Sequence, residues 1–241
     1  MQIIGHRGAR GEAPENTLGG FQYLRDLGIR AVEFDVRLSK QQELVIIHDE
    51  NFLRTTGIDL SLAQASIADI QDLNFAHPIS DWQHTESLPR LHQVMQICHD
   101  FDHIEVEVKA VDTQNQADEL VDFLETALVN DTHHVTITSF DVKILTALQQ
   151  RQLKNQSKFH RGFLVEFPFG IHAIETAVNF GCDRIGWKDM LATQELIDLS
   201  HQAGLKTSVW TVNDVERAKA LRDFGIDGLI TDFPKLMLEQ L

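Results

Sequence analysis

The sequence is poor in cysteine and in positive charge. Only two of its 241 residues are cysteines, Cys98 and Cys182, and they stand in unrelated contexts. This usage favours reduced thiols in a cytosolic protein over a disulfide framework. Lysine and arginine number 21 against 36 aspartates and glutamates, which gives a formal net charge of −15. Because nucleic acids and anionic membranes bind basic surfaces, we expect neither as the main partner.

The chain also lacks long apolar runs and a recognisable leader. No run is long and apolar enough to span a bilayer. The first residues, Met1 to Ile4, show no basic n-region followed by an apolar h-region. We therefore expect no signal peptide and a cytoplasmic location. With no internal repeat, low-complexity segment or linker, residues 1–241 are expected to form one domain. A homo-oligomer remains open.

Strand-like and helix-like patterns alternate along most of the chain. Eight strand-like segments begin at residues 2, 31, 103, 134, 161, 183, 206 and 227. Strands that alternate with helices indicate a parallel sheet, and eight such units predict an α/β fold, the (β/α)₈ TIM barrel. Residues 44–48 are predicted to return as an antiparallel hairpin strand because the preceding turn is too short for a crossover. Residues 49–89 are interpreted as a small insertion after the second strand.

The predicted strand 31–38 carries the first chemical signal. Glu33 and Asp35 are two residues apart, so their side chains point to one face, roughly 7 Å apart. On an inward face, two acids repel each other and lose hydration unless a cation compensates. A divalent cation with oxygen ligands is the simplest compensation. The alternative is a polar outer face on a half-buried strand, and the rest of the chain decides between the two.

Further polar residues cluster where the other predicted strands end. A barrel of this type places its active site at the carboxyl ends of the strands. Acidic, basic, imidazole and hydroxyl side chains are found at or near those ends, together with one tryptophan: His6, Arg7, Glu33, Asp35, His48, Asp49, Glu107, Lys109, Ser139, Trp210, Thr211, Asn213, Thr231 and Asp232. We therefore expect one functional rim.

These residues belong to a set of short motifs that resembles the glycerophosphodiester phosphodiesterases. The motifs are His6-Arg7-Gly8, Pro14-Glu15-Asn16-Thr17, Glu33-x-Asp35, His48-Asp49, Glu107-x-Lys109, Trp210-Thr211-x-Asn213 and Asp227-Gly228-x-x-Thr231-Asp232-x-Pro234. Each motif alone is weak, but the set runs in order from residue 3 to residue 234. The resemblance implies a metal-dependent TIM barrel with a small insertion, which hydrolyses glycerophosphodiesters to an alcohol and sn-glycerol 3-phosphate.

The resemblance also assigns roles to individual positions. Glu33, Asp35 and Glu107 match the metal carboxylates of the family. Three carboxylates without a histidine ligand suit one Mg²⁺ or Ca²⁺ ion rather than zinc. His6 and His48 match the general acid and base, in an order that the sequence leaves open. Imidazole suits this work because it titrates near neutral pH.

Two cationic positions and one aromatic position match substrate contacts. Arg7 and Lys109 correspond to phosphate-binding residues, since both can stabilise charge that grows in the transition state. The alternative for Lys109 is that it only neutralises Glu107. Trp210 corresponds to a rim aromatic residue that packs on the glycerol moiety, and its alternative is a place in the barrel core.

Three further acidic or amide residues are less determined. Glu15 and Asn16 have either a helix-capping role or a direct role in the site. Glu105 faces the same way as Glu107, one layer deeper, where the family more often has a neutral amide. A buried acid there must be protonated, paired or linked to the metal.

Three other functions stay open at this point. A lysophospholipase D would be favoured by a wide apolar groove beside the metal, although no amphipathic anchoring helix is evident. A barrel hydrolase with histidine metal ligands would begin with His-x-His, whereas His6 is followed by Arg7 and Gly8. A catalytically silent binding barrel is disfavoured by the intact histidines and carboxylates. The remaining histidines of interest, His133, His134, His160 and His201, are expected to be structural.

Overall fold

The strands form a closed barrel in the computed structural model, which describes residues 1–129, 134–153 and 159–241. Within these ranges the strands are β1 (Gln2–His6), β2 (Ala31–Leu38), β3 (Leu44–Ile46), β4 (His103–Val108), β5 (Val135–Ser139), β6 (His160–Val165), β7 (Arg184–Lys188), β8 (Lys206–Trp210) and β9 (Gly228–Thr231). Their order is β1-β9-β8-β7-β6-β5-β4-β2-β3, and β1 also pairs with β2. Eight parallel strands therefore close on themselves, and β3 pairs antiparallel with β2. The predicted TIM barrel and its returning hairpin strand are confirmed.

Helices follow the strands and cover the outside of the barrel. They are α1 (Leu18–Asp26), α2 (Leu53–Thr56), α3 (Ile67–Ile70), α4 (Leu91–Ile97), α5 (Gln114–Ala127), α6 (Val142–Leu153), α7 (Ile171–Asn179), α8 (Gln194–Gln202), α9 (Val215–Asp223) and α10 (Pro234–Gln240). Every helix expected between consecutive barrel strands is present. The short helix α2 lies in the insertion and was not expected.

The pattern of strand β2 explains how carboxylates come to face the barrel interior. Val32, Phe34 and Val36 are fully buried in the apolar layer between the strands and the helices. Because side chains alternate along a strand, Glu33 and Asp35 must point the other way, into the barrel. Both are buried. The interpretation of this pair as a polar outer face is therefore wrong.

The loop after β1 is compact because a glycine permits its close approach. A Cβ atom at Gly5 would lie 1.9 Å from the carbonyl oxygen of Gly8. Helix α1 is capped by Thr17, whose side chain accepts a hydrogen bond from the amide of Gly20. This cap satisfies one of the amides that a helix start leaves free.

The insertion packs through a small apolar cluster of its own. Phe52 and Phe75 meet edge to face, with ring centroids 5.7 Å apart, and Val45 of β3 belongs to the same cluster. Glu86 ties the insertion to α1 by accepting a hydrogen bond from the amide of Gly19 at 3.0 Å. Across the described ranges, none of the helices has the length and apolar character needed to cross a membrane.

Candidate active site

Three carboxylates converge inside the barrel. The parallel register of β2 and β4 sets Asp35 beside Glu107, and Glu33 lies one layer away on β2. One oxygen atom from each of the three lies within 4.8 Å of the others. Glu33 and Asp35 are buried, and the Glu107 side chain is only 12% exposed. The structure therefore brings together all three residues that the sequence predicts as metal ligands.

Two cations lie against this cluster. Arg7 places its Nε 3.1 Å from Asp35 Oδ2, and Lys109 places its Nζ 2.6 Å from Asp35 Oδ1 and also contacts Glu107. The backbone amide of Arg7 donates a hydrogen bond to Glu33 Oε2, whereas Glu33 Oε1 is buried without a hydrogen-bond partner among the described residues. Three carboxylates outnumber two cations, so a hard divalent cation fits this set of oxygen donors.

The electrostatics of the cluster favour a bound cation as well. Burial and the neighbouring charge of Asp35 raise the pKa of Glu107 to about 7, and the same two causes raise the pKa of Glu33 well above its ordinary value. Burial also opposes ionisation of Asp35, but Lys109 and Arg7 outweigh it and lower the pKa of that carboxyl. The cluster therefore holds a proton more tightly than ordinary carboxylates do, and a divalent cation bound there would compete with that proton.

Two imidazoles flank the carboxylates, and each is paired with an aspartate. Nδ1 of His6 lies 2.6 Å from Asp232 Oδ1, and Nδ1 of His48 lies 2.7 Å from Asp49 Oδ1. Because an ionised carboxylate can only accept a hydrogen bond, these contacts assign the proton to Nδ1 in both rings. Nε2 of each ring is then left to act on a substrate. Nε2 of His6 lies 3.9 Å from Glu33 Oε2.

The second ring reaches the site through the hairpin. The amide of Ile47 donates a hydrogen bond to the carbonyl of Asp35 at 3.0 Å, which sets His48 beside the cluster. Burial lowers the pKa of His48 and of His6 despite their aspartate partners. Both rings are therefore mostly neutral at pH 7 in the protein without ligands.

The end of β9 holds the aspartate that orients the first ring. Asn213 donates from Nδ2 to Asp232 Oδ2 at 2.8 Å, and its Oδ1 accepts from the amide of Asp232 and from the hydroxyl of Thr231. Ser139 makes a comparable support on the other side of the barrel, donating to the carbonyl of Val108 at 2.8 Å. These contacts restrict the strand ends that carry the site.

Trp210 borders the site and also packs against the buried cluster of Ile4, Ala31 and Ile230 inside the barrel. It is partly exposed, its Nε1 donates to the carbonyl of Gly186, and its ring meets Phe140 edge to face at 5.3 Å. A cavity of about 20 Å³ is lined by side chains that include the tryptophan, two of the carboxylates and the first imidazole: His6, Glu33, Glu107, Phe140 and Trp210. The predicted rim aromatic residue is thus within the same cavity as the first histidine.

The loop before α1 contributes an amide that the sequence left undecided. Thr17 supplies the helix cap, and Asn16 instead donates from Nδ2 to Asp35 Oδ2 at 2.8 Å. The backbones of Arg7 and Asn16 both have positive φ angles, 52° and 53°. This backbone region is strained for residues other than glycine, and residues with such strain cluster at functional sites.

Two residues beyond the predicted ligands complete the polar network, and one of them was missed. Glu15 accepts a hydrogen bond from Arg7 at 3.0 Å, and Arg54 of α2 donates to Glu15 and to Asp49. Burial disfavours the Glu15 carboxylate, but Arg54 and Arg7 prevail and lower the pKa of Glu15 to about 2. Arg54 follows the His-Asp motif by five residues, but no periodic pattern in the sequence marks it as part of the site.

The extra buried acid of β4 is resolved as a paired carboxylate. Oε1 of Glu105 lies 3.0 Å from Nε2 of His103 and 3.5 Å from Nε of Arg184. Although burial would raise it, these partners hold the pKa of Glu105 below its ordinary value. Of the three alternatives given by the sequence, pairing is therefore the one that the structure shows.

Other histidines lie away from this rim. His160 at the start of β6 pairs with Asp183, and His201 pairs with Asp227 just before β9. Both contacts are at the amino ends of the strands, opposite the carboxylate cluster. His133 lies outside the described residues.

Comparisons with known proteins agree on one family. The model of the glycerophosphoryl diester phosphodiesterase family matches residues 6–236. The glycerophosphodiester phosphodiesterase of Caldanaerobacter subterraneus subsp. tengcongensis is 25% identical over 249 residues, which cover 98% of this chain and 96% of the relative. A human lysophospholipase D is 25% identical over 264 residues, covering 96% of this chain and 83% of the relative.

A solved structure supports the fold. The structure of an Oleispira antarctica phosphodiesterase was solved in complex with the product sn-glycerol 3-phosphate. It superposes on this chain with a TM-score of 0.84 at 23% identity, and the match covers 100% of this chain and 96% of the Oleispira chain. With a family model that spans nearly the whole sequence, the chain belongs to the glycerophosphoryl diester phosphodiesterase family, whose enzymes hydrolyse glycerophosphodiesters.

Proposed function

We propose that this protein hydrolyses glycerophosphodiesters to an alcohol and sn-glycerol 3-phosphate, with one Mg²⁺ or Ca²⁺ ion held by Glu33, Asp35 and Glu107. The observation that carries the proposal is the convergence of these three carboxylates beside two imidazoles. The Oleispira antarctica structure, which holds sn-glycerol 3-phosphate, supports the choice of product.

The cations of the site are assigned to the phosphate. Arg7 and Lys109 already lie against the carboxylates, with Lys109 2.6 Å from Asp35. A divalent cation held by the carboxylates would neutralise them. Arg7 and Lys109 would then be available for the phosphoryl oxygens, Arg7 through two parallel hydrogen bonds. When bound, a divalent cation supplies charge that stabilises these oxygens and lowers the pKa of a nearby hydroxyl group.

The imidazoles are assigned to proton transfer. One neutral ring accepts the proton of a glycerol hydroxyl as that oxygen attacks phosphorus, and the other ring, protonated, donates to the departing alcohol. Water then opens the resulting cyclic glycerophosphate while the two rings exchange roles. Asp232 and Asp49 keep Nε2 of His6 and His48 directed at the substrate and stabilise each ring while it is charged.

The direct test is release of glycerol 3-phosphate from glycerophosphocholine by the purified protein, with added Mg²⁺ or Ca²⁺ and with EDTA. We expect release only with the cation, and a loss of at least about 100-fold in His6→Ala, the lower range for general acid–base catalysis. His160→Ala, at the opposite end of the barrel, is the control. The proposal fails if the protein releases no glycerol 3-phosphate with Mg²⁺ and none with Ca²⁺. It also fails if His6→Ala and His160→Ala release glycerol 3-phosphate at the same rate.

A lysophospholipid is the second candidate substrate, and one observation favours it. Phe167 and Phe169 follow β6 and Met190 follows β7, and their side chains are 56%, 53% and 78% exposed. Apolar side chains at the mouth of a barrel suit an acyl chain better than a polar alcohol, and the human relative is named for this activity. Comparing kcat/KM for lysophosphatidylcholine and glycerophosphocholine decides between the two.

We also propose that the protein is located in the cytoplasm. Cys98 and Cys182 are free and buried, and burial raises the pKa of each thiol to about 12. Such thiols are unreactive, which agrees with the reducing cytoplasm that we propose as the location. We propose no nucleic-acid partner because of the net charge of −15.

A further inference from the structure

One arginine of the insertion bridges two separate loops of the site. Nε of Arg54 lies 2.6 Å from Asp49 Oδ2. Its two terminal nitrogens lie 2.6 and 2.8 Å from the two carboxylate oxygens of Glu15. A single planar guanidinium therefore fixes a carboxylate from the loop after β3 and another from the loop after β1.

Each of these carboxylates orients a group that faces the cluster of Glu33, Asp35 and Glu107. The free oxygen of Asp49, Oδ1, binds Nδ1 of His48 at 2.7 Å. Oε1 of Glu15 binds Nη1 of Arg7 at 3.0 Å, and Nε of Arg7 lies 3.1 Å from Asp35. The chain of contacts thus runs from Arg54 to an imidazole in one direction and to a phosphate-binding cation in the other.

The geometry requires the shape of arginine as well as its charge. The guanidinium presents Nε to one partner and a fork of two nitrogens to the other, an arrangement that a lysine ammonium cannot reproduce. Arg54 is 40% exposed, whereas the Glu15 side chain that it holds is only 9% exposed. The apolar cluster of the insertion is formed by other residues, among them the fully buried Phe52. A change at Arg54 can therefore alter the site without opening that core.

We propose that Arg54 is a positioning residue: by holding Asp49 and Glu15 together, it directs the His48 ring and the Arg7 guanidinium at the substrate. This inference rests on the proposed phosphodiesterase function. It makes the small insertion, through α2, a part that sets the geometry of the site.

The first test compares Arg54→Lys with Arg90→Lys. Arg90 is a matched control because it is 43% exposed and pairs with one carboxylate, Glu43, at 3.0 Å, away from the site. We expect Arg54→Lys to lower kcat by about 10- to 100-fold, the usual effect of removing an outer partner of a site residue. Because Arg54→Lys also removes hydrogen bonds from the nearly buried Glu15, its Tm should fall by a few degrees, so kcat is compared well below the Tm of both variants. Equal kcat in the two variants would overturn the proposal.

A double-mutant cycle shows whether Arg54 acts through its carboxylate partner. We expect Asp49→Asn to lower kcat. Adding Arg54→Lys to Asp49→Asn should then lower kcat much less than Arg54→Lys does in the native protein, because both residues act through the same contacts to His48. Full additivity of the two losses would contradict an action through Asp49.

A second readout does not depend on activity. In ¹H–¹⁵N spectra of histidine side chains, the His48 signals, identified by their loss in His48→Gln, should show the proton on Nδ1. Arg54→Lys should populate both tautomers, whereas Arg90→Lys should not. If the native protein releases no glycerol 3-phosphate, the proposed function fails, and this spectrum still decides on Arg54: an unchanged His48 tautomer in Arg54→Lys would overturn the inference.

Discussion

At the scale of single residues, the site is dominated by carboxylates that lack enough cations. Arg7 and Lys109 offset only part of the charge of Glu33, Asp35 and Glu107. Burial makes this imbalance costly, because a low dielectric strengthens repulsion between like charges. The pKa shifts of the cluster are the measurable consequence.

A first prediction concerns competition between protons and the metal. Because the pKa of Glu107 is raised to about 7 and that of Glu33 is also raised, the site must release protons when it binds Mg²⁺. Isothermal titration calorimetry should show weaker binding at pH 6 than at pH 8, and an apparent enthalpy that depends on the ionisation enthalpy of the buffer. Equal affinity at both values of pH would contradict the raised pKa values.

A second prediction concerns the stability of the chelated protein. The raised pKa of Glu107 means that the folded state binds this proton more tightly than the unfolded state, so the stabilisation is present below the ordinary pKa and is lost as the pH rises towards about 7. In EDTA at pH 8, Glu107→Gln should raise Tm by at least about 2 °C, the shift that 1 kcal/mol produces in a chain of this size.

The exposed Glu195→Gln is the control for that measurement. It should leave Tm unchanged within about 1 °C, since surface substitutions have small effects. A Glu107→Gln variant that is less stable than the native protein at pH 8 would mean that Lys109 fully compensates the carboxylate.

At the scale of secondary-structure elements, the sequence predicts the parts that local pattern controls. The eight barrel strands and the helices between them follow from alternating apolar segments, and the register of β2 with β4 brings the predicted ligands together. Helix α2 has only four residues, and it is held by Phe52 in the apolar cluster of the insertion rather than by its own periodicity. Arg54 could not be assigned because Glu15, the partner of its two terminal nitrogens, is 39 residues away, and the contact with the nearby Asp49 depends on the fold of the insertion.

The start of α1 shows the same limit at one position. Both Asn16 and Thr17 are good capping residues, and propensity cannot choose between them. The choice is made by tertiary structure, since Asn16 is occupied by Asp35 on β2 and leaves the cap to Thr17. The role of Asn16 is therefore decided by its contact with a distant strand, which the local sequence does not show.

A third prediction separates these two neighbours. Thr17→Ala should lower the free energy of unfolding by about 1 kcal/mol, the usual value of a helix cap, and leave Mg²⁺ affinity unchanged. Asn16→Ala should weaken Mg²⁺ binding by about 10-fold, because Asp35 loses the amide that orients it. Urea unfolding in EDTA and calorimetric titration measure the two effects. The assignment fails if the two substitutions exchange their effects.

At the scale of the whole molecule, closure of the barrel makes one site from distant segments. His6 on β1 and Asp232 after β9 are separated by 226 residues, and they meet because β1 pairs with both β9 and β2. The order of motifs along the chain already predicts such a rim. Which charged residues pair with each other, such as His6 with Asp232, can be read only from the closed barrel. A ligand that binds this rim should therefore stabilise the entire fold.

A fourth prediction follows from that linkage. Above its dissociation constant, each tenfold increase in Mg²⁺ should add about 1.4 kcal/mol to the free energy of unfolding, because the ion binds only the folded state. Differential scanning calorimetry should show Tm rising steadily with Mg²⁺ in the native protein. Tm should stay constant in Asp35→Asn, and an equal rise in that variant would place the ion elsewhere.

The most direct measurement is a crystal structure of the protein with Mn²⁺, located by its anomalous scattering. We expect one strong peak about 2.0–2.6 Å from an oxygen of each of Glu33, Asp35 and Glu107, the range for hard cations with oxygen ligands. Nε2 of His6 and of His48 should face that peak from two sides. A peak bound by other residues, or one that either ring faces away from, would contradict it.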